Sequence, residues 1–266
     1  MEENRLILSH VNIPLEEIDF LQDISFTIEE NSMTAILGAN GCGKTTLLRA
    51  ICNQIPFTGQ CEWNNISLQN CSARELSRLL SYIPQRSGIT ISMSVLDVVL
   101  MGFNPVLKLL ETPSKLQKEA ASKALSMVGL TDFISRDYLT LSEGEKQLCI
   151  LARTLVTHTK LWLLDEPDSS LDFHNRYHML SLIKQMMHQS DACALLCLHD
   201  PGLALNFCDQ LILLKEHHVA AILHPRTDPL PLMEKSLSAI YGSVTLKQIT
   251  DNKRNVHLVL LSEQLP

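Results

Sequence analysis

Aromatic residues are scarce in this 266-residue chain, at 5% against 45% for all hydrophobic types, so its core is expected to be aliphatic and rich in helix. Basic residues are in deficit. The 22 Lys and Arg stand against 29 Asp and Glu, a formal net charge of −7, and no basic cluster occurs. Binding to bare nucleic acid backbone is therefore disfavoured. No uninterrupted apolar run reaches the ~18 residues of a membrane span. The acidic opening "MEENRLILSH" also lacks the apolar core of a secretory signal. Cysteine occurs eight times but never as C-x-x-C, and Cys193 and Cys197 fall within the apolar run "ACALLCLHD". They read as structural thiols of a reducing compartment rather than as metal ligands or disulfides.

The length suits one large α/β domain, or a core domain with a sizeable insert. "NRLILSHVNI" and "LQDISFTIEE" alternate as antiparallel strands do. "SMTAILG" is a short apolar strand leading into the helical "GKTTLLRAICNQI", and "GQCEWNNISL" reads as a hairpin turning at Asn64 and Asn65. "SARELSRLL" is a short helix before the strand "SYIPQ". From Arg86 to about Val156 the period becomes helical, with a capping box at Ser114 and Gln117, an apolar face of Leu116, Ala120, Ala124 and Val128, and a stop at Gly129. Strands return in "KLWLLDE" and "ACALLCLHD", separated by the helical "NRYHMLSLIKQMM". This order implies a parallel-sheet core carrying an inserted helical subdomain. After His218 the pattern predicts a loop at "HPRTDPLP", one short helix and a final strand, "VHLVLLS".

Gly38, Ala39, Asn40, Gly41, Cys42, Gly43, Lys44, Thr45 and Thr46 spell G-x-x-x-x-G-K-[ST] between a predicted strand and helix. Glycines there let backbone N–H groups close around phosphates; Lys44 adds a point charge, and the Thr45 hydroxyl suits Mg²⁺. "KLWLLDEP" delivers Asp165 and Glu166 at the end of an apolar strand, where open parallel sheets bind ligands. Asp165 suits a water-mediated hold on Mg²⁺, and Glu166 suits polarising a water. Gln85 and His199 each end a predicted strand, and Asp172 closes "DSSLD"; taken singly, each reads equally as a turn or cap residue. "LSEGEKQ" holds a capping box of Ser142 and Glu145, which is either an anion site or only a well-capped helix.

In this order the motifs resemble the nucleotide-binding subunits of ABC transporters over nearly the whole chain. The resemblance implies a P-loop NTPase core of RecA-like mixed sheet, with an N-terminal antiparallel β subdomain and an inserted α-helical subdomain. Residues 1–85 and 157–225 would form the core, 86–156 the helical subdomain and 226–266 a C-terminal segment. It implies ATP as ligand, Mg²⁺ held by Thr45, Gln85 and Asp165, and Glu166, His199 and Gln85 serving hydrolysis. In that family two cassettes pair head to tail, so Ser142 and the Gly144 backbone would grip the phosphate of a nucleotide held by a second copy, and Asp172 is also expected among the nucleotide-binding residues. "LSEGE" stands here for the usual LSGGQ. "LSYIPQ", "SVLDVVLMGFNP", "LDFHNRYHMLSLI" and "HDPGLALNFCDQLILLK" look like the ATPases of type II importers, which serve iron–siderophore, cobalamin or haem uptake with a permease dimer and a binding protein. The segment from Arg86 to Leu110 would face the permease, placing the chain at the cytoplasmic face of the membrane. A soluble ABC ATPase, such as those of iron–sulfur cluster assembly, is the second reading.

Departures from the family pattern set further expectations. Only "IPL" stands at Ile13 to Leu15, where an adenine-stacking aromatic is usual. Cys42 replaces a usual serine, either as a thiol activated by the phosphate-binding N–H groups and Lys44 or as a small residue filling the loop. Glu143, without the local partner that holds Glu145, is expected to repel a phosphate.

Overall fold

The computed structural model describes residues 4–15, 18–108, 110–169 and 171–262; Ser170 of "DSSLD" lies outside them. The chain opens with β1 (Leu6–Leu15), β2 (Ile18–Ile28), β3 (Met33–Gly38), α1 (Lys44–Ile51), β4 (Thr58–Trp63) and β5 (Ile66–Ser67). There follow α2 (Ala73–Leu79), β6 (Leu80–Ile83), α3 (Val95–Leu100), α4 (Lys115–Met127), α5 (Glu143–Thr157), β7 (Leu161–Asp165) and α6 (Phe173–Gln189). The chain ends with β8 (Cys193–Cys197), α7 (Pro201–Phe207), β9 (Gln210–Lys215), β10 (His218–Leu223), α8 (Leu230–Tyr241), β11 (Val244–Thr250) and β12 (Val256–Ser262). Two compact units result, one of residues 1–69 and 193–266, the other of 70–192.

The first unit holds an antiparallel sheet of order β2-β1-β4-β5. Leu6, Leu8, Val11 and Ile13 are all buried in β1 although their spacing breaks strict alternation. A bulge between Leu8 and Val11, with His10 at φ 51°, absorbs the extra residue. Trp63 pairs with Ile66 across Asn64 and Asn65, whose φ values of 51° and 63° make the tight hairpin turn expected of two asparagines. A second sheet runs β10-β9-β3-β8, with β3 parallel to both neighbours and β10 antiparallel to β9. All six residues of β3 are buried, which is why it reads as a continuous apolar run rather than an alternation.

The region after His218 is richer than its sequence suggests. Besides α8 and β12 it contains β10 and β11. Alanines in "HVAAIL" and the polar, exposed positions of "VTLKQIT" mute both strand signals; β10 is fixed by pairing with β9 and β11 by pairing with β12.

In the second unit β6 and β7 pair in parallel, and the helical block of α3, α4 and α5 forms the long crossover such a pair requires. The capping box at Ser114 forms as expected, and Gly129 adopts φ 76° just past α4. The predicted apolar face of α4 forms only in its second half: Ala124 and Val128 are buried, joined by Ala121 and Leu125, whereas Leu116 is 76% exposed. Steps of four advance slightly more than one turn, so three of them drift by about 120° around the helix. Two strand ends also differ. Gln85 lies two residues past β6 and His199 two past β8, so both belong to the loops at the strands' carboxyl ends. Among the described residues no cysteine is in a disulfide, and seven of the eight are buried.

Candidate functional site

In the first unit β3 runs into the phosphate-type loop and α1. Gly41 (φ 78°) and Gly43 (φ 105°) supply left-handed turns that a side chain resists. A Cβ at Gly43 would also stand 2.8 Å from Leu21 Cδ2, whereas one at Gly41 would meet nothing within 4 Å. Gly43 is the N-cap of α1; no side chain caps this helix, and no acidic residue occupies its first turn. Its end is therefore arranged to receive an anion from outside. Lys44, only 5% exposed, donates from Nζ to the carbonyls of Gly38 (2.9 Å) and Ala39 (3.3 Å), which hold the ammonium over the loop. Thr45 and Thr46 follow it, half-buried. Cys42 turns inward: it is 9% exposed, and its Sγ would lie 2.6 Å from a Cβ on Gly38. This is the geometry of a small residue filling the loop, not of an exposed reactive thiol. His199 is exposed, and Leu198 N–H donates to Ile36 O (3.2 Å), so the His199 turn and the phosphate loop leave the same edge of the sheet.

In the second unit every residue of β7 is buried, and Asp165 at its end is 4% exposed. Tyr82 donates its hydroxyl toward Asp165 Oδ2 at 3.4 Å. Glu166 adopts φ 49°, a conformation costing a non-glycine residue about 1–2 kcal/mol. Gln85 Nε2 donates to Glu166 Oε2 (2.7 Å) and to Ser169 Oγ (3.3 Å). The Gln85 carbonyl in turn accepts from Gln147 Nε2 (2.7 Å) on α5. Sequence reasoning passed over Gln147; the signal was an amide placed just ahead of the apolar "LCILA", and the residue is 9% exposed.

Ser142 begins α5 with a complete capping box. Its N–H and Oγ–H both donate to Glu145 Oε2 (2.7 Å each), and its Oγ accepts from the Glu145 N–H (3.3 Å). These hydrogen bonds from Ser142 hold the Glu145 carboxyl below its usual range. A Cβ on Gly144 would stand 2.9 Å from Leu171 Cδ2, so a side chain there would require the end of that leucine to shift. Glu143 does have a local partner, contrary to the sequence expectation: Lys146 Nζ lies 2.7 Å from its Oε1. The pairing follows from i, i+3 spacing on one helix face. Asp172 caps α6, accepting from Asn175 N (2.9 Å) and Asn175 Nδ2 (3.1 Å).

The donor sets fit a magnesium nucleotide. An uncapped helix start behind a left-handed glycine turn offers N–H groups to phosphates. The Thr45 hydroxyl in the first unit and the Asp165 carboxylate in the second are each hard oxygen donors of the kind Mg²⁺ takes. Among the described residues no group of three or more His, Cys, Asp or Glu side chains could hold a metal ion by itself.

Comparison with known proteins accords with this geometry. The family model described as ABC transporter matches residues 21–169. An uncharacterized ABC transporter ATP-binding protein of Haemophilus influenzae is 39% identical over 197 residues, 74% of each chain. A probable iron chelatin transport ATP-binding protein of Helicobacter pylori is 33% identical, covering 89% of this chain and 92% of its own. A hemin import ATP-binding protein of Bordetella pertussis is 33% identical over 77% of this chain and 80% of its own. Among solved structures, an inward-facing metal-chelate type ABC transporter superposes with a TM-score of 0.83 at 25% identity, covering 98% of both chains. The fold is thus the mixed α/β fold of the ATP-binding cassettes. A phosphate loop built on an open helix start and a family match across more than half the chain lead to one conclusion: this chain belongs to the ABC transporter family, as an ATP-binding, ATP-hydrolysing subunit.

Proposed function

We propose that this cassette powers an importer of metal chelates, of the iron–siderophore, haem or cobalamin class. The names of its relatives, among them the iron chelatin and hemin import proteins, support that cargo class and disfavour the soluble reading. In the proposed mechanism Lys44 and the loop amides of residues 39–46 bind the phosphates of ATP. Thr45, Asp165 and Gln85 would hold Mg²⁺, which when bound neutralises phosphate charge and orients the water for in-line attack. Glu166 accepts a proton from that water and His199 stabilises the phosphate end. A second copy, paired head to tail, supplies Ser142, the Gly144 backbone and the Asp172 loop.

The observation that carries the reading is the chain of hydrogen bonds Gln147–Gln85–Glu166. It ties the proposed base directly to α5, the helix that carries the signature-type start, so a movement of the helical block is felt at the carboxylate. The same unit offers a docking cleft of about 200 Å³, lined in part by Leu80, Tyr82, Met101, Asn104, Pro105 and Arg153. Arg74 and Arg78 both donate to the Pro105 carbonyl and hold its rim, and the nearby Val106 is 57% exposed. A permease segment is the proposed occupant, with the substrate-binding protein reached only through the permease. Among the described residues no helix is long and apolar enough to cross a membrane, so attachment at the cytoplasmic face would run through the permease subunits.

Glu166→Gln tests the mechanism. The amide cannot accept a proton, so turnover should fall about 100-fold or more while ATP binding persists and an ATP-bound dimer accumulates on gel filtration. Turnover close to wild type would remove Glu166 from its role. Co-purification of permease subunits with this chain from detergent-solubilised membranes tests the importer reading, and a chain recovered only alone would refute it.

A further inference from the structure

The docking cleft of the second unit is lined by positive charge with no acid to balance it. Arg153 of α5 lines the cleft beside Leu80 and Met101. Its guanidinium makes no hydrogen bond or ion pair with any described residue. The neighbouring hydroxyls are engaged elsewhere. Ser81 Oγ shares hydrogen bonds with Thr157 (2.9 Å) and Thr159 (2.7 Å), and Thr154 donates to the Ile150 carbonyl (3.2 Å). At the rim Arg74 and Arg78 donate to the backbone carbonyls of Pro105 and Leu107, neutral acceptors that leave their charge in place. Glu75, the acid of α2, is committed to the Ser72 N–H (2.8 Å) and Oγ–H (2.6 Å). No Asp or Glu stands among the described lining residues. In a chain of net charge −7 this is a local reversal of sign.

The arginine is also held in place. A Cβ on Gly102 would stand 2.6 Å from the Arg153 carbonyl oxygen and 3.3 Å from its Cγ, so the turn at 101–103 lies directly on α5 and against the arginine stem. Burial draws the Arg153 pKa below the usual arginine value, yet a guanidinium stays charged at neutral pH. A desolvated cation without an acceptor destabilises the isolated subunit. A carboxylate brought to it gains a two-pronged, charge-assisted hydrogen bond, with little ordering of the arginine left to do. The volume of about 200 Å³ admits side chains rather than a helix. Leu80, Met101 and the exposed Val106 put apolar surface beside the charge, which suits a peptide segment better than a free phosphate.

We propose that Arg153 is a specificity residue for the permease: it receives the carboxylate of an Asp or Glu on the docking segment, flanked there by apolar side chains. The inference rests on the importer reading. Arg153→Met keeps an unbranched stem and removes the charge. Permease recovered with this variant from detergent-solubilised membranes should fall at least about tenfold, while the thermal midpoint of the isolated chain holds or rises. Arg153→Lys keeps the charge and supplies an amine. A zero-length carbodiimide added to that complex activates the partner carboxylate, and the lysine amine displaces the urea to form an amide. Peptide mass spectrometry should then find residue 153 joined to a permease Asp or Glu, a link absent from wild type. Full recovery with Arg153→Met, or Arg153→Lys without such a link, would overturn the proposal; an anionic lipid headgroup filling the cleft would give the second result. A wild-type chain that brings down no permease would instead overturn the importer reading itself.

Discussion

Two helix starts in this molecule solve the same problem in opposite ways. At α5 the free N–H groups are met from within: Ser142 and Glu145 bond reciprocally, and two glutamates occupy the first turn. At α1 no side chain caps the start: a left-handed glycine takes the cap position, the first turn has no acid, and a buried lysine faces the loop carbonyls. A helix end satisfied by its own side chains contributes to folding at once, whereas an end left open stays unsatisfied until an anion arrives. The difference separates a helix that binds phosphate on its own from one that needs other contacts to do so. In the proposed dimer α5 is the second kind, offering the Ser142 hydroxyl and the Gly144 backbone rather than its innermost amides.

The largest effect should come from closing the open start. Gly43→Ala forces a side chain onto φ 105° and against Leu21, so stability should fall by at least about 2 kcal/mol. Nucleotide affinity should drop by about tenfold or more, because the amides behind the turn lose their aim. Calorimetric titration with ADP beside thermal unfolding would measure both. Retained affinity in a stable variant would mean that α1 is not the phosphate-binding end.

A smaller effect is expected from opening the closed start. Ser142→Ala removes the cap of α5 and should cost about 1 kcal/mol. That cost should depend on pH. Glu145 titrates lower when folded than when unfolded because Ser142 bonds its carboxylate. Its stabilisation is therefore present above the unfolded glutamate pKa, near 4.3, and is lost as pH falls through the lower folded value. Unfolding midpoints of the two proteins should differ at pH 7 and converge in acid. A difference that persists unchanged in acid would remove Glu145 from the cap.

The motifs that organise the fold were legible in the sequence because each depends on neighbours a few residues apart. The glycine turn at 41–43, the Asn64–Asn65 hairpin and the boxes at Ser114 and Ser142 all formed as expected. What was missed depends on distant partners. Strand β11 exists because β12 pairs with it, and the buried face of α4 was misjudged in its first half from a drifting ladder of fours. Gln147 became part of the candidate site only when Gln85, 62 residues earlier, was seen to accept from it. The roles at Cys42 and Glu143 turned on where one side chain points, which spacing alone does not give.

The smallest effect should be at Glu143, where the structure revises the sequence argument. A bare carboxylate about 8 Å from a partner's phosphate would repel it by about 2 kcal/mol at an effective dielectric near 20. Here Lys146 stands 2.7 Å from that carboxylate, with its side chain only 23% exposed. The pair presents a dipole rather than a charge, and at 8 Å most of the repulsion cancels, leaving on the order of 0.5 kcal/mol or less. Glu143→Gly also introduces a glycine into the first turn and removes an exposed ion pair, costing the subunit about 1 kcal/mol. Dimer affinity in a Glu166→Gln background should therefore change less than about threefold on Glu143→Gly. Lys146→Gln should do more, because it uncovers the carboxylate: affinity should fall at low salt and recover at high salt. A strong gain in dimer affinity from Glu143→Gly alone would show that Lys146 does not neutralise the glutamate in the dimer. An equal, salt-insensitive response to both substitutions would show that neither charge faces the nucleotide.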